Sequence, residues 1–256
     1  MKKSALKIID ALVYPAGAVV VIALVWSLAY NKGGSEFIFP SIGATFARMG
    51  EYLSDAFFWK SAANTLLRVV TAFSLAFSLA LVTAVLAFVF PTFKKAIAPF
   101  VHIMISAPTV AFMIFLNLMQ VKRTVSPVIV ALTVVYPTAY ASLLAVFSKI
   151  DLKLVEMAKL YDVPLSRRIF SLYAPTALPY IIEESGTIIS FTLKIVVSGE
   201  IIAYTYKSLG GIINQANQYI EMDGVMALTV LSVLLALALE AAIKLVAYFY
   251  KRGKRL

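Results

Sequence analysis

Long apolar runs alternate with short polar segments along the whole chain. Six of the runs, at 13–30, 66–90, 97–119, 125–147, 180–204 and 225–250, approach or exceed the roughly 20 residues a helix needs to cross a hydrocarbon core. They predict an all-α membrane protein of six transmembrane helices forming one domain over 1–256. The first run follows a basic start, MKKSALK, which mimics a secretory signal. Its length, and the lack of a small-x-small cleavage pattern after it, make it a retained first helix.

The polar segments carry their own pattern. In the segment after the first run, Phe46, Met49 and Leu53 recur at helical spacing opposite Arg48, Glu51 and Asp55. This predicts an amphipathic helix within 41–60, lying either in the membrane interface or on the outer face of a helix bundle. The longest polar connection, 148–174, reads as two short helices. Asp151 is placed to cap the first, Leu154, Met157, Ala158 and Tyr161 share one face, and Lys153, Glu156 and Lys159 share the other. Pro164 ends that helix and suits the start of a second over 165–172. Pro175 and Pro179 then lead into the fifth run.

Composition agrees with a membrane chain: 61% of residues are hydrophobic and 14% charged, against about 25% charged in soluble domains. The chain has no cysteine, which excludes disulfides, thiolate chemistry and cysteine-ligated metals. The formal net charge of +10 is a topology signal. An arrangement with both termini in the cytoplasm puts the basic residues of 1–12, 91–95, 148–174 and 251–256 inside. It leaves only Lys32, Arg48, Lys60, Lys122, Arg123 and Lys207 outside. That asymmetry obeys the positive-inside rule, with Lys122–Arg123 as its awkward exception. Charge so distributed speaks for lipid contact and against nucleic acid. His102 has no local second ligand, so a metal site is not expected.

The 148–174 connection is therefore cytoplasmic and basic. It either lies on the bilayer, with Arg167 and Arg168 on lipid phosphates, or docks a partner. Here the residues resemble a known family. Glu156, Met157 and Ala158 match the Glu-Ala-Ala triplet of the loop in binding-protein-dependent ABC importer permeases. Asp162 stands at that loop's glycine, Leu172 and Ala174 at its apolar positions, and Pro175 and Pro179 at its prolines. Aspartate tolerates left-handed backbone better than most residues, which suits it to the glycine position. The resemblance extends over about 39–250: FPSIGATF, NTLLRVVTAF with Arg68, APFVHIMISAPTVAFMIF with Pro99 and Pro108, VVSGEII with Glu200, and SLGGII. Among such permeases the chain is most similar to the nitrate, sulfonate and taurine group.

The resemblance implies the type I ABC importer permease architecture and a translocation pathway worked by alternating access. It implies a coupling helix in the 151–172 loop, with Glu156, Met157, Ala158, Asp162, Arg167 and Pro175 at the ATPase contact. The implied partners are two cytoplasmic ABC ATPase subunits, a second permease copy (a homodimer being the simpler arrangement), a soluble extracytoplasmic substrate-binding protein and the lipid bilayer of a prokaryotic inner membrane. No phosphate-binding GxxxxGK[ST] occurs in the chain, so ATP and Mg belong to a separate subunit. This chain is not an enzyme and needs no cofactor of its own. The expected substrate is a small, anionic solute such as nitrate or a sulfonate.

Ionisable residues inside a span cost about 2.5–3.5 kcal/mol on insertion scales and usually face protein or water. The fifth run holds Glu183, Glu184, Lys194 and Glu200. Lys194 lies about 15 Å along the helix from the Glu183–Glu184 pair. It either lines a pathway, with Ser190 on the same face, or pairs with Glu200 or with a neighbouring helix. Arg68, Ser190, Lys194 and Glu200 are the candidate pathway residues; Asn64, Asn117 and Tyr136 are further polar groups that the sequence does not assign to a path. A rival reading is an ion-coupled secondary transporter or channel that uses Lys194 with Glu184 or Glu200. Inverted hydropathy repeats, common in such proteins, are not found.

Overall fold

The computed structural model describes residues 2–33 and 39–253. Every regular element among them is helical: α1 (Lys2–Gly33), α2 (Ile42–Ser54), α3 (Ala56–Val89), α4 (Pro91–Ser106), α5 (Thr109–Leu118), α6 (Ser126–Phe147), α7 (Leu152–Leu160), α8 (Leu165–Arg168), a π-helical turn (Ile169–Tyr173), α9 (Ala174–Ile202), α10 (Leu209–Gln218) and α11 (Met222–Gly253). The stretches Ala56–Val89, Ser126–Phe147, Leu165–Ile202 and Met222–Tyr250 are each long and apolar enough to cross a membrane. Within α1, Gly17–Lys32 is a further apolar helical stretch.

The predicted third span is not one helix. α4 and α5 meet at 81°. Pro108 has no amide to continue the helix, and its ring forces Ala107 into extended backbone (φ −69°, ψ 129°). The fifth predicted span departs in the opposite sense, because its helix begins well before 180. Pro175 would press on the carbonyl of Ser171 in a regular α-helix. Here the chain widens into a π turn, with the Ala174 amide donating to the Ile169 carbonyl, and the helix runs through both prolines from Leu165 to Ile202.

The described chain divides into two compact units, one taking in Met1–Trp59 and Ile212–Leu231, the other Lys60–Gly211 and Ser232–Leu256. In the first, Ser41 caps α2 by accepting from the Ala44 amide at 3.1 Å, and Trp26 Nε1 donates to the Pro40 carbonyl at 3.0 Å. α2 lies within the 41–60 segment. Thr45 and Met49 are buried, while Phe46 and Leu53 are exposed. Arg48 does not face open solvent either. Its guanidinium bonds Glu51 and Glu221 at 2.6 Å each, with Asp223 at 3.9 Å. The hydrogen bond to Glu51 is the main cause that raises its pKa further. Beside it, burial raises the pKa of the Tyr52 phenol.

The second unit is built on α6 packed along α9, with α4 and α5 against α6. Small residues set these approaches, as expected where helices meet without a hydrophobic driving force. Ala72, Ala76, Ala80 and Ala84 form a fully buried stripe on α3. Gly199 of α9 sits on Pro127 of α6, where an added Cβ would lie 3.0 Å from the proline Cα. Phe88 stacks on Phe147 and meets Tyr173 edge-on, at 5.7 and 5.2 Å between ring centroids, tying the end of α3 to the π turn.

The Gly199 contact is testable. Gly199→Ala must push α9 from α6 at a cost of about 1–3 kcal/mol, and the purified protein should unfold at a lower temperature. Gly50→Ala, with nothing within 4 Å of the added carbon, should not lower it. An unchanged Tm for Gly199→Ala would show that the helices are less closely seated.

Candidate functional site

Three features of the second unit gather the candidate functional residues: a buried ionic knot, a polar face on α9 and a short helical loop at the start of that helix. The knot forms around Glu200, which is fully buried. Its carboxylate accepts from Arg68 Nη1 at 2.7 Å, Thr65 Oγ1 at 2.9 and 3.0 Å, and the Gly210 amide at 3.1 Å. Thr65 Oγ1 in turn accepts from the Leu209 amide at 2.9 Å. The first turn of α10 thus points two free amides at a carboxylate and its partner, the favoured placement for negative charge at a helix N-terminus. Only glycine fits at 210, since an added Cβ would come within 2.5 Å of Glu200 Cβ.

Arg68 and Glu200 are therefore partners of each other. Lys194 makes no ion pair with Glu200, and Glu200 is closed to solvent. Thr65, Leu209 and Gly210 were not among the predicted site residues. The signal was present in the spacing, because Thr65 lies one helical turn before Arg68. Asn64 and Asn117 hold backbone: Asn64 Nδ2 donates to the Lys207 carbonyl at 3.1 Å and Asn117 Nδ2 to the Ile202 carbonyl at 2.9 Å. Tyr136 is buried, with its hydroxyl 3.4 Å from Thr83.

α9 has an unusual surface for a span. Between 181 and 200 its exposed residues are Glu183, Thr187, Lys194 and Ser198, all polar. The exposed residues of α3 and α11 include long apolar rows, among them Leu67, Leu75, Leu79, Val233, Leu234 and Leu237. Ser190 is buried and lies beside Glu240 of α11, with Lys194 also near that carboxylate. Glu240 bonds Lys244 at 2.6 Å, and Lys244 in turn lies near Glu183 and Glu184. Gly186 admits α11 closely, an added Cβ there lying 3.2 Å from the Glu240 carbonyl. Glu240 and Lys244 were missed as site residues because a run-length reading treats α11 as an anchor.

The loop before α9 is well formed. Asp151 caps α7 by accepting from the Lys153 amide at 2.9 Å. At the other end Asp162 has φ 49°. The Val163 amide bonds the Ala158 carbonyl, and the Asp162 amide the Lys159 carbonyl, both at 3.0 Å. This is a Schellman closure with aspartate in glycine's left-handed place. Among the described residues of α7, Val155 is buried. Leu154, Met157 and Tyr161, predicted to share an apolar face, are exposed together with Leu160 and Phe170. Glu156, Arg167 and Pro175 are exposed as well, and Ala158 is half-buried. His102 is exposed, and no cluster of three potential metal ligands occurs among the described residues.

The knot makes a quantitative prediction. Arg68→Met leaves a buried carboxylate uncompensated and should cost about 3–5 kcal/mol. Glu200→Gln keeps an acceptor for Gly210 and should cost less. In the double variant the second change should recover part of the first loss. Thermal unfolding of the four proteins measures the coupling, and strictly additive losses would show that the two side chains do not form one unit.

Comparison with known proteins places this arrangement. The sequence profile of the binding-protein-dependent transport system inner membrane component matches residues 76–252. Among solved structures, the chain is similar to the MetNI methionine ABC transporter in inward-facing conformations (TM-score 0.67, 15% identity, 75% of this chain and 95% of that one). It is also similar to a bacterial ABC transporter that imports the acidic polysaccharide alginate (TM-score 0.64, 14% identity, 96% and 98%). A third similar structure is an amino acid ABC transporter with histidines (TM-score 0.62, 15% identity, 75% and 93%). The comparison with curated proteins finds no match. With most of its length matched by the profile and its helices arranged as in these transporters, the chain belongs to the family of inner membrane permease components of binding-protein-dependent ABC importers, whose ATPase is a separate subunit.

Proposed function

We propose that α9 works as a rod joining an ATPase contact to the translocation pathway. One observation carries this reading: the helix from Leu165 to Ile202 is continuous. It leaves the α7 loop at one end and presents Glu183, Thr187, Lys194 and Ser198 along its exposed face. A polar face on a spanning helix is costly against lipid and stable against water or a second protein. In this reading it lines the pathway, shared with a second copy of the chain. Lys194 supplies a positive charge for a small solute bearing a negative group.

The exposed Leu154, Met157, Leu160 and Tyr161 on α7 are the groups that seat in a cytoplasmic ABC ATPase, flanked by Glu156 and Arg167. Two ATPases closing on ATP would move both loops, and each rod would carry that motion past the solute, switching access from one side of the membrane to the other. The termini and the α7 loop lie in the cytoplasm, and a soluble binding protein delivers solute at the opposite face. The knot at Glu200 holds the far end of the rod to α3 and α10. It serves as a pivot and is not a solute ligand.

The loop contact can be tested by co-expression with an ABC ATPase subunit. The wild-type chain should purify with two ATPase copies per permease pair. Glu156→Arg should weaken association at least about tenfold, as for a central interface residue, without changing the Tm of the isolated permease. Full association of the variant would remove α7 from the contact.

A further inference from the structure

At the end of the second unit away from α7 lies a cavity of about 420 Å³ lined by Asn117, Gln120, Val121, Lys122, Arg123, Ala203 and Tyr204. The 29 residues of α9 separate it from the loop, about 43 Å at helical rise. Its walls come from two distant segments, the α5–α6 connection and the turn after α9. These are pinned together: Thr205 Oγ1 donates to the Arg123 carbonyl at 2.8 Å, and Asn117 Nδ2 to the Ile202 carbonyl at 2.9 Å. Gln120 and Tyr204 hold left-handed backbone, φ 54° and 53°, so both segments turn sharply at the cavity.

The lining offers donors and two cations and no carboxylate. Neither Lys122 nor Arg123 has an ion-pair partner among the described residues. Glu200, close in sequence to Ala203, is turned away and held by Arg68.

Basic residues after a helix often serve the helix's last carbonyls, but that need is already met here. The Met119, Gln120 and Val121 amides bond the carbonyls of Phe115, Asn117 and Leu116 at 3.0, 3.0 and 3.2 Å. The Ala203, Tyr204 and Thr205 amides do the same for Gly199, Ile201 and Glu200 at 2.9, 3.3 and 3.0 Å. Nor does topology call for cations here, since the pair is the exception to the positive-inside pattern.

We infer that this cavity binds an oxyanion group — a phosphate, sulfonate or carboxylate — between Lys122 and Arg123, with Asn117, Gln120 and Tyr204 around it. Guanidinium and ammonium groups bind such oxygens through short charge-assisted hydrogen bonds. The pinned turns fix the backbone that carries the two cations, so the ordering needed on binding falls to their side chains. The cavity exceeds the size of an inorganic anion, leaving room for the body that carries the group. Its two possible sources are a soluble anion and the headgroup of an anionic lipid. The site stands on its own geometry and does not depend on the coupling role of α7.

The test uses the complete permease–ATPase complex in nanodiscs. In zwitterionic phosphatidylcholine, inorganic phosphate is titrated calorimetrically. In discs containing phosphatidylglycerol, native mass spectrometry counts the lipids retained. If the anion is soluble, phosphate should saturate at one per permease chain, and Lys122→Gln/Arg123→Gln should weaken it at least about tenfold through loss of two charged hydrogen-bond donors. If the anion is a lipid headgroup, phosphate should not bind, and the double variant should lose one retained phosphatidylglycerol per chain. Lys122→Arg/Arg123→Lys should preserve whichever binding occurs, and monodisperse elution with the ATPase checks that each variant is folded. Binding of phosphate and of phosphatidylglycerol that is absent, or equal in wild type and Lys122→Gln/Arg123→Gln, would overturn the inference.

Discussion

A carboxylate removed from water must have its oxygens bonded, or the charge is strongly destabilising. Glu200 meets that demand with groups from two distant parts of the chain: Arg68 and Thr65 on α3, and the Gly210 amide at the start of α10. The register of α3 against α9, and the course of the turn after α9, follow from it. So does the glycine at 210, where any side chain would collide with Glu200. Replacing such a set with apolar residues is often neutral for stability, whereas breaking it is not. It fixes the Glu200 end of α9 to α3 and to the start of α10.

The rest of α9 is arranged around that fixed end. Gly199 and Gly186 allow α6 and α11 to approach on two sides, leaving one face outward. On that face every exposed residue between 181 and 200 is polar. At the near end the π turn absorbs Pro175 without ending the helix, so the residues after the α7 loop and the polar face belong to one continuous helix. This division of small, buried and polar faces along a single helix sets α9 apart from α3, whose exposed residues include apolar rows.

Much of this was legible in the residues. Run length and charge placement pointed to an all-helical membrane chain, and the Glu156–Pro175 spacing pointed to the permease family. Asp162 at a glycine position foretold left-handed backbone, and φ 49° is what the turn shows. The misses share a cause. Counting apolar residues cannot see a bend, although Pro108 supplied the local reason for the 81° break. Treating Pro175 as a helix boundary ignored the π turn that accommodates it. The Arg68–Glu200 pair joins residues 132 positions apart, and nothing in local periodicity links them. On α2, Arg48 meets Glu221, 173 positions away, a partner that helical spacing cannot show.

The central claim is that the exposed face of α9 meets water during transport. The chain is naturally free of cysteine, so single cysteines report directly. Thr187→Cys and Ser198→Cys are to be compared with Leu79→Cys and Leu234→Cys, which replace residues 49% and 50% exposed on apolar faces. Each is treated with a membrane-impermeant thiol reagent, in proteoliposomes holding the complete transporter, with and without ATP. Labelling is expected at 187 and 198 at rates that change with nucleotide, and none at 79 or 234. Unlabelled 187 and 198, or labelling as fast at 79 and 234, would contradict that claim.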